Sequence, residues 1–279
     1  DPQRRFAEDG LRIMRAVRFA ASLEFEVEDA TEAAIPGAMP SLEKVSRERV
    51  HDELFKLLRA ARPSLGLEVA LRTGIIASVF PELRHRHTME WARLMERMDR
   101  AERDPVVRGA LLLAADDAMD PGDEVDVAAR ESAEVVCRRL KWSNLARKRC
   151  LQLVASARPG PWLGKDEPDV RKRLSQVDRQ GFDDVLAFLR SYAVPADVPD
   201  VADVVACIKT IIDRGDALAT SELAIAGRDL MADLGVSPGK HLGDTLKGLL
   251  DEVLVDPRLN QRELLLQRAR ELLAAAGHL

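Results

Sequence analysis

The sequence has few aromatic residues, few cysteines and no long apolar run, and each shortage excludes a class of protein. Only 4% of its 279 residues are aromatic, whereas sandwiches and barrels fill their cores with aromatic and β-branched side chains. No apolar run approaches the roughly 18–20 residues of a membrane-spanning helix, so we expect no membrane contact. The three cysteines, Cys137, Cys150 and Cys207, lack CxxC spacing. They predict reduced thiols in a cytoplasmic protein rather than a disulfide framework or a zinc site.

Apolar and charged residues, in contrast, are abundant. The apolar share is 46% and the charged share is 32%, which is enough for a sizeable core and excludes a disordered chain. Apolar residues recur at helical spacing almost throughout, so we predict an all-α fold, an elongated arrangement of many helices. The formal net charge of −5 gives no general support for binding to nucleic acid, so any such surface must be local.

Proline, glycine and acidic clusters divide the chain into helical parts. We expect Pro36, Gly37 and Pro40 to interrupt the helical pattern, Ser46 to cap the helix that follows, and the acidic segment 116–126 to form a loop. Towards the end of the chain, glycines recur between apolar positions. These changes of pattern predict three parts, which comprise residues 1–64, residues 65–215 and residues 216–279.

The stretch from residue 5 to residue 21 has the most informative pattern. An apolar stripe runs along one side of a predicted helix. The opposite face carries Glu8, Arg12, Arg15 and Phe19, and Asp9 lies one position round from them. A carboxylate and a guanidinium, those of Asp9 and Arg12, are therefore expected to project side by side near the start of this helix.

Such a pair can read the pairing edge of a nucleobase. Cytosine and adenine each offer an amine beside a ring nitrogen, so the carboxylate accepts from the amine and the guanidinium donates to the nitrogen. Guanine and uracil place a carbonyl and a protonated nitrogen there, so acceptor would face acceptor and donor would face donor. The spacing by itself favours a simpler interpretation, an ordinary surface ion pair, because such pairs are common on helix faces.

The whole stretch resembles the neck-helix motif of the class II tRNA nucleotidyltransferase and poly(A) polymerase family. The resemblance rests on Arg5-Phe6, on Glu8-Asp9-x-x-Arg12 and on Arg15-Ala-x-Arg18-Phe-Ala. It implies that Asp9 and Arg12 form a template for incoming CTP or ATP, that Glu8 is their neighbour, and that Arg15 supports the site or meets a phosphate. Gly10 stands where members of this family usually have proline, and we expect it to loosen the start of the helix.

A second segment, residues 46–54, resembles the next motif of the same family. That motif is a helix that braces the neck, and the resemblance implies structural support from Arg49 and Glu53. An exposed ion pair between these two residues is the alternative, because they lie four positions apart. Residues 71–83 and 222–265 also follow the family pattern, and the middle of the chain matches mainly at Cys137–Asn144.

The catalytic head of the family has no counterpart in this sequence. The resemblance implies that, in relatives, the head holds two metal ions (Mg²⁺) on carboxylates that follow a Gly-Ser element. We find neither that element nor the acid-x-acid pair, and the chain begins with Asp1 rather than Met. We therefore expect an excerpt or a processed piece with no catalytic residue and no metal of its own. Alanines at 114 and 115 also replace the His-Asp metal ligands that some relatives carry in the body.

Two groups of basic residues are candidates for RNA contact. Arg138, Arg139, Lys141 and Lys148 flank Trp142, and Lys240 precedes a predicted helix. The resemblance places both groups in RNA-binding parts of the family. Solvated helix faces around a buried Trp142, and ordinary helix capping at Lys240, are the alternatives.

We therefore expect the neck, body and tail of a class II nucleotidyltransferase that adds C, A or both from CTP and ATP to the 3′ end of tRNA. Under this interpretation, residues 1–64 recognise the base, residues 65–215 are an RNA-binding body and residues 216–279 are a tRNA-binding tail. The alternatives are a poly(A) polymerase that acts on other RNAs and a helical RNA-binding module without catalysis.

Overall fold

The computed structural model describes residues 1–83, 88–114, 123–156, 159–192 and 201–278. Every regular element in this part of the chain is helical, which confirms the predicted all-α fold. Among the described helices, none has both the length and the apolar character that crossing a bilayer would require.

Eight α-helices lie in the first part of the chain, up to residue 113. They are α1 (Pro2–Glu8), α2 (Leu11–Leu23), α3 (Asp29–Glu43), α4 (Arg47–Leu58), α5 (Pro63–Arg72), α6 (Ile75–Val79), α7 (Thr88–Arg100) and α8 (Pro105–Leu113).

Eight further α-helices are described from residue 123 onwards. They are α9 (Asp123–Arg139), α10 (Asn144–Ser156), α11 (Glu167–Leu174), α12 (Phe182–Arg190), α13 (Val201–Arg214), α14 (Gly227–Leu234), α15 (Lys240–Val255) and α16 (Arg262–Ala275). Short 3-10 turns occur at Pro81–Leu83, Gly160–Trp162, Arg179–Gly181, Thr220–Glu222 and Pro257–Leu259.

The chain forms two compact units. The first comprises Asp1–Pro161 and Asp183–Val201, and the second comprises Trp162–Phe182 and Ala202–Leu279. In the first unit, α2 packs against α4 and α5, and α10 packs against α8 and α9. In the second unit, α15 packs against α11 and α16 around a core in which Leu230, Leu249 and Leu273 are fully buried.

The opening segment is two helices rather than the single helix that its periodicity predicts. Helix α1 ends before Asp9, whose backbone is extended, and α2 begins after Gly10. The apolar stripe still faces the core, because Ile13 and Val17 are completely buried. At the other end of α2, Glu24 adopts a left-handed conformation and the Phe25 N–H donates to the Ala20 carbonyl, which closes the helix.

Pro36 and Pro40 do not interrupt the chain as expected, since α3 runs through both of them. Both prolines lie on the exposed side of α3, where water can donate to the carbonyl groups that a proline leaves unbonded. The opposite side holds Ile35 and Leu42 in the core, and this packing outweighs the lost hydrogen bonds.

Other boundaries follow the sequence more closely. The Ser46 hydroxyl accepts a hydrogen bond from the Arg49 N–H at 3.5 Å, so Ser46 caps α4 as predicted. The acidic segment 116–126 lies largely outside the described residues. Its last four positions, predicted to be loop, form the first turn of α9.

Candidate functional site

The corner between α1 and α2 holds the two residues that the sequence singles out. Asp9 lies in the corner itself, and one of its carboxylate oxygens, Oδ1, accepts a hydrogen bond from the Leu11 N–H at 3.1 Å. Its backbone carbonyl accepts from the Arg12 N–H at 3.0 Å. The negative charge therefore sits at the amino end of α2, where the exposed N–H groups and the helix dipole favour it.

Gly10 allows the backbone of α3 to approach this corner closely. A Cβ atom on residue 10 would lie 2.1 Å from the carbonyl oxygen of Ser41, well inside van der Waals contact. Glycine here lets two backbone segments pack against each other, a role that differs from the looser helix start expected from the sequence. Proline, with its own Cβ, would meet the same oxygen.

Glu8 forms ion pairs with three neighbouring arginines. Its carboxylate lies 2.7 Å from Arg12 Nη1, 3.1 Å from Arg5 Nη1 and 3.6 Å from Arg4 Nε. The hydrogen bonds from Arg12 and then Arg5 lower the pKa of Glu8 below its ordinary value. Glu8 therefore stays ionised and holds the Arg12 side chain against the end of α1.

The side chains of Asp9 and Arg12 do not bond to each other in the described structure, and both keep hydrogen-bonding capacity. Arg12 uses only Nη1, which donates to Glu8 and to the Arg5 carbonyl at 2.9 Å. Its Nε and Nη2 form no hydrogen bond with the described residues. The side chains of Asp9 and Arg12 are 30% and 36% exposed, so neither is sealed in the core. A ligand at the corner can therefore meet a carboxylate oxygen and two guanidinium nitrogens, Nε and Nη2, which together carry three N–H donors.

Arg49 and Glu53, predicted to brace the neck, each contact the opening segment rather than each other. Arg49 Nη2 lies 3.4 Å from Asp9 Oδ2, so it is a second donor to the carboxylate in the corner. The buried Glu53 accepts from Arg18 Nε of α2 at 2.6 Å and from Lys56 at 3.0 Å. Burial opposes its ionisation, yet Lys56 and Arg18 together keep the pKa of Glu53 below its ordinary value.

A cavity of about 290 Å³ opens beside the corner. Its lining includes Glu8, Asp9, Lys44, Ser46 and Arg49. Its volume is at the lower end of small-ligand sites. Arg12 is not part of this lining, so a base that uses both Asp9 and Arg12 would sit at the corner rather than deep inside the cavity.

The sequence interpretation gave no role to two residues near the corner. Lys44 lines the cavity, and Arg18 links α2 to the buried Glu53. The spacing of Arg49 and Glu53 suggested that they pair with each other, so their partners in the opening segment were not predicted. An acidic residue at a buried helix position indicates such a distant partner. Arg15 is exposed on α2 and forms no ion pair with the described residues.

The basic residues around Trp142 largely have partners within the protein. Arg138 pairs with Glu134, and Arg139 donates to Glu82 at 2.8 Å. Lys141 is exposed, with a left-handed backbone at the end of α9, and Lys148 is exposed on α10.

Trp142 itself is buried. Its ring lies edge-on to Phe55 with centroids 4.8 Å apart, and it fills the space over Gly109. This geometry fits a Trp142 that packs in the core rather than one that is exposed for stacking on RNA.

Lys240 begins α15 and is exposed, directly after Gly239. The imidazole of His241, the next residue, stacks on that of His278 with ring centroids 4.4 Å apart. Because N–H groups point outward at the start of a helix, the first turn of α15 and the ammonium of Lys240 form one positively polarised surface.

Within the described ranges there is no cluster of three or more His, Cys, Asp or Glu side chains that could hold a metal ion. The stretch in which some relatives carry metal ligands, around Asp116 and Asp117, lies outside the described residues, as do His85 and His87. The side chains that the structure describes thus do not fit a resident metal.

Comparison with known families gives two matches in separate parts of the chain. Residues 24–86 match a family described as "Probable RNA and SrmB-binding site of polymerase A". Residues 204–269 match a family described as tRNA nucleotidyltransferase domain 2. The first begins directly after α2, and the second covers α14, α15 and half of α16.

Curated relatives match along nearly the whole chain. The CCA-adding enzyme of Ligilactobacillus salivarius is 26% identical over 98% of this chain and 62% of its own length. The CCA-adding enzyme of Streptococcus sanguinis is 31% identical over 90% of this chain and 57% of its own length. The chain thus spans about three-fifths of the length of these relatives. Over a 75-residue stretch, identity to the CCA-adding enzyme of Levilactobacillus brevis reaches 48%, covering 27% of this chain and 19% of the relative.

Solved structures share the fold. The Bacillus stearothermophilus CCA-adding enzyme in complex with CTP superposes with a TM-score of 0.68 at 21% identity, over 99% of this chain and 65% of that one. The Thermotoga maritima CCA-adding enzyme complexed with tRNA CCA gives a TM-score of 0.61 at 20% identity, over 97% of this chain and 62% of that one. The helical architecture is therefore that of CCA-adding enzymes.

Proposed function

Because this chain belongs to the class II tRNA nucleotidyltransferase and poly(A) polymerase family, we propose that it is the nucleotide-selecting and RNA-binding part of a tRNA nucleotidyltransferase. The enzyme would add C, A or both from CTP and ATP to the 3′ end of tRNA. The named relatives are CCA-adding enzymes, and this supports a tRNA nucleotidyltransferase over a poly(A) polymerase.

The observation that carries the proposal is the pair of partly exposed side chains at the α1–α2 corner. The Asp9 carboxylate accepts from the exocyclic amine of cytosine or adenine, and the free N–H groups of Arg12 donate to the adjacent ring nitrogen. Glu8 holds Arg12, and Arg49 holds Asp9. Arg15, exposed one turn further along α2, would contact a phosphate.

Base selection follows from the orientation of donors and acceptors at this corner. Guanine or uracil would leave the Asp9 carboxylate facing a carbonyl and the Arg12 guanidinium facing an N–H. Each unpaired group in a closed site costs about 1–3 kcal/mol, which is enough to discriminate between the bases. Arg49 supports base selection by holding the α1–α2 corner against α4. Glu53 supports it by holding α4 against α2.

The remaining parts of the proposal concern RNA. Residues 1–64 would recognise the base, while residues 65–215 and 216–279 would hold the RNA. The exposed Lys141 and Lys240 are available to phosphates, whereas Arg138 and Arg139 would have to leave carboxylate partners to do so. Lys148 is exposed on α10 and belongs to the same proposed RNA surface.

Metal use and location are the last two parts of the proposal. The family uses divalent metal, with Mg²⁺ the expected ion, and the carboxylates that hold it would lie in a head domain rather than among the described residues. No step assigned to this chain therefore runs through a metal. A cytoplasmic location is supported by three cysteines that are free thiols.

Two observations distinguish the proposal from its alternatives. A Gly-Ser element and an acid-x-acid pair encoded upstream of Asp1 would support the enzyme, whereas an initiator Met close to Asp1 would support a non-catalytic RNA-binding module. Sequencing the RNA products made with CTP and ATP together separates the two enzymes. C and A at tRNA 3′ ends are expected, and long A tracts on other RNAs would contradict the proposal.

A further inference from the structure

We propose that the outer face of α2 is a docking surface for the single-stranded 3′ end of the RNA, on which Phe19 stacks against a base. The inference rests on the proposed function and deepens it, because it adds a substrate-contacting residue that base selection does not require.

Large apolar side chains are exposed on the outer face of α2 and just beyond its end. Phe19 is 45% exposed, Leu23 is 51% exposed and Phe25, just beyond the helix, is 65% exposed. Phe19 and Leu23 lie four positions apart, so they share a face with Arg12 and Arg15. The surface thus presents an arginine end and an aromatic end along one line.

Charge favours a polyanion as the partner. Helix α2 contains three arginines and no acidic residue, although the whole chain carries a net charge of −5. Glu8 compensates Arg12 and Glu53 compensates Arg18, whereas Arg15 has no ion pair among the described residues. A basic helix face next to an exposed aromatic ring is the combination that single-stranded nucleic acid binds.

The ring of Phe19 is held in place before any ligand arrives. The guanidinium carbon of Arg18 lies 3.9 Å from the centroid of the Phe19 ring. Arg18 is itself fixed, since its Nε donates to Glu53 Oε2 at 2.6 Å. One face of the ring is therefore covered by a fixed guanidinium, and the exposed remainder is a preorganised platform for a base.

The spacing along α2 suits a strand that runs from the corner to Phe19. Seven residues separate Arg12 from Phe19, which corresponds to about 10 Å along the helix axis. Stacked bases are about 3.4 Å apart, so the platform lies about three base layers from the nucleotide that is being read. Arg15 lies between the two, where a backbone phosphate of the same strand would pass.

The competing occupant of this face is a protein surface, which would cover Phe19, Leu23 and Phe25 as one apolar patch. Such a cover would depend on the apolar area at Leu23 as much as on that at Phe19. RNA stacking depends on an aromatic ring at position 19. Substitutions at residues 19 and 23 are therefore expected to affect the binding of RNA and the binding of a protein differently.

The test is fluorescence anisotropy of the full chain with a labelled, unstructured RNA of about eight nucleotides and no added nucleoside triphosphate. Phe19→Ala is expected to weaken binding about tenfold, because it removes one stacked base. Phe19→Trp, which keeps an aromatic ring, is expected to bind within about twofold of the unaltered chain. Leu23→Ala is the matched control on the same face and should also stay within about twofold.

The proposal is overturned if the unaltered chain does not bind the RNA, if Phe19→Ala binds as well as the unaltered chain, or if Leu23→Ala weakens binding equally. It is also overturned if Phe19→Trp loses affinity while its thermal melt is unchanged, so an unfolded Phe19→Ala protein would still leave a decisive variant. Because no triphosphate is present, failure of base selection by Asp9 and Arg12 leaves this readout unaffected.

Discussion

At the scale of single residues, Gly10 shows how one missing side chain shapes the candidate site. The carbonyl of Ser41 occupies the space that a Cβ atom on residue 10 would need. Asp9 is attached directly to this glycine, so the close approach of α3 also decides where the Asp9 carboxylate lies. The identity of residue 10 thus affects base reading without any contact of its own.

We expect Gly10→Ala to destabilise the chain by about 1–3 kcal/mol, because the α1–α2 corner must move away from α3. Denaturant unfolding followed by circular dichroism measures this change. Gly37→Ala in α3 is the control, since a Cβ atom on residue 37 would meet nothing within 4 Å and alanine favours helix by up to about 1 kcal/mol. Equal stability of the two variants would argue against close packing at Gly10.

His51 on α4 gives the first unit a pH dependence. Its ring lies 4.0 Å from that of Phe55, and its Nδ1 is buried without a hydrogen-bond partner among the described residues. Burial lowers the pKa of His51 below its ordinary 6.5, although the nearby Asp52 opposes the shift. The folded chain therefore binds this proton less readily than the unfolded chain.

The contribution of His51 to stability is accordingly complete above pH 6.5 and is lost as the pH falls through the lowered pKa. We expect the free energy of unfolding to decrease between pH 7 and about pH 5, and His51→Phe to remove part of that decrease. Urea unfolding of both proteins across this range is the measurement. Identical pH profiles would show that His51 carries no such linkage.

At the scale of helices, Arg108 ties the carboxyl ends of two elements together from inside the core. It is 1% exposed, and its guanidinium donates to the carbonyls of Leu58 at the end of α4, of Ala60 just beyond it and of Ala101 after α7. Burial lowers the pKa of Arg108 to about 10, so it remains a cation at neutral pH. A positive charge there also suits the negative ends of both helix dipoles.

Replacing Arg108 with Met should cost about 3 kcal/mol or more, because three carbonyl acceptors would lose their donor in a buried place. Arg100→Met is the control, since within the described ranges the Arg100 side chain forms one exposed pair, with Glu96 at 3.1 Å. This change should cost about 0.5 kcal/mol or less. Chemical denaturation compares the two variants. A loss at Arg108 no larger than that at Arg100 would refute the capping role.

At the scale of the whole molecule, the sequence predicts what depends on local pattern and misses what depends on distant contact. Helical periodicity and the Ser46 cap are local, and both are confirmed. The break at Asp9 and Gly10 is not local, because it requires the α3 backbone beside it. The same holds for Pro36, which stays within a helix because distant packing holds that helix in place.

The candidate site divides in the same way. Residue types and spacing make Asp9 and Arg12 a candidate pair, because the chemistry of a base edge limits which side chains can read it. The family resemblance, rather than the spacing, favours base reading over a surface ion pair. Their actual partners, Arg49 for Asp9 and Glu8 for Arg12, follow from the corner that the fold creates. Only part of that arrangement, the Glu8–Arg12 pair at four positions, is visible in the sequence.

Base reading at the α1–α2 corner can be measured as the binding of CTP, ATP, GTP and UTP to the chain and to its Asp9→Ala and Arg12→Ala variants. We expect the unaltered chain to prefer CTP and ATP, and each variant to lose about fivefold or more of that preference while keeping its helical spectrum. Arg4→Ala is the control, because the side chain of Arg4 is 81% exposed and, in the part of the chain that the structure describes, pairs with Glu8 alone. Unchanged discrimination in both corner variants would contradict the claim that Asp9 and Arg12 read the base.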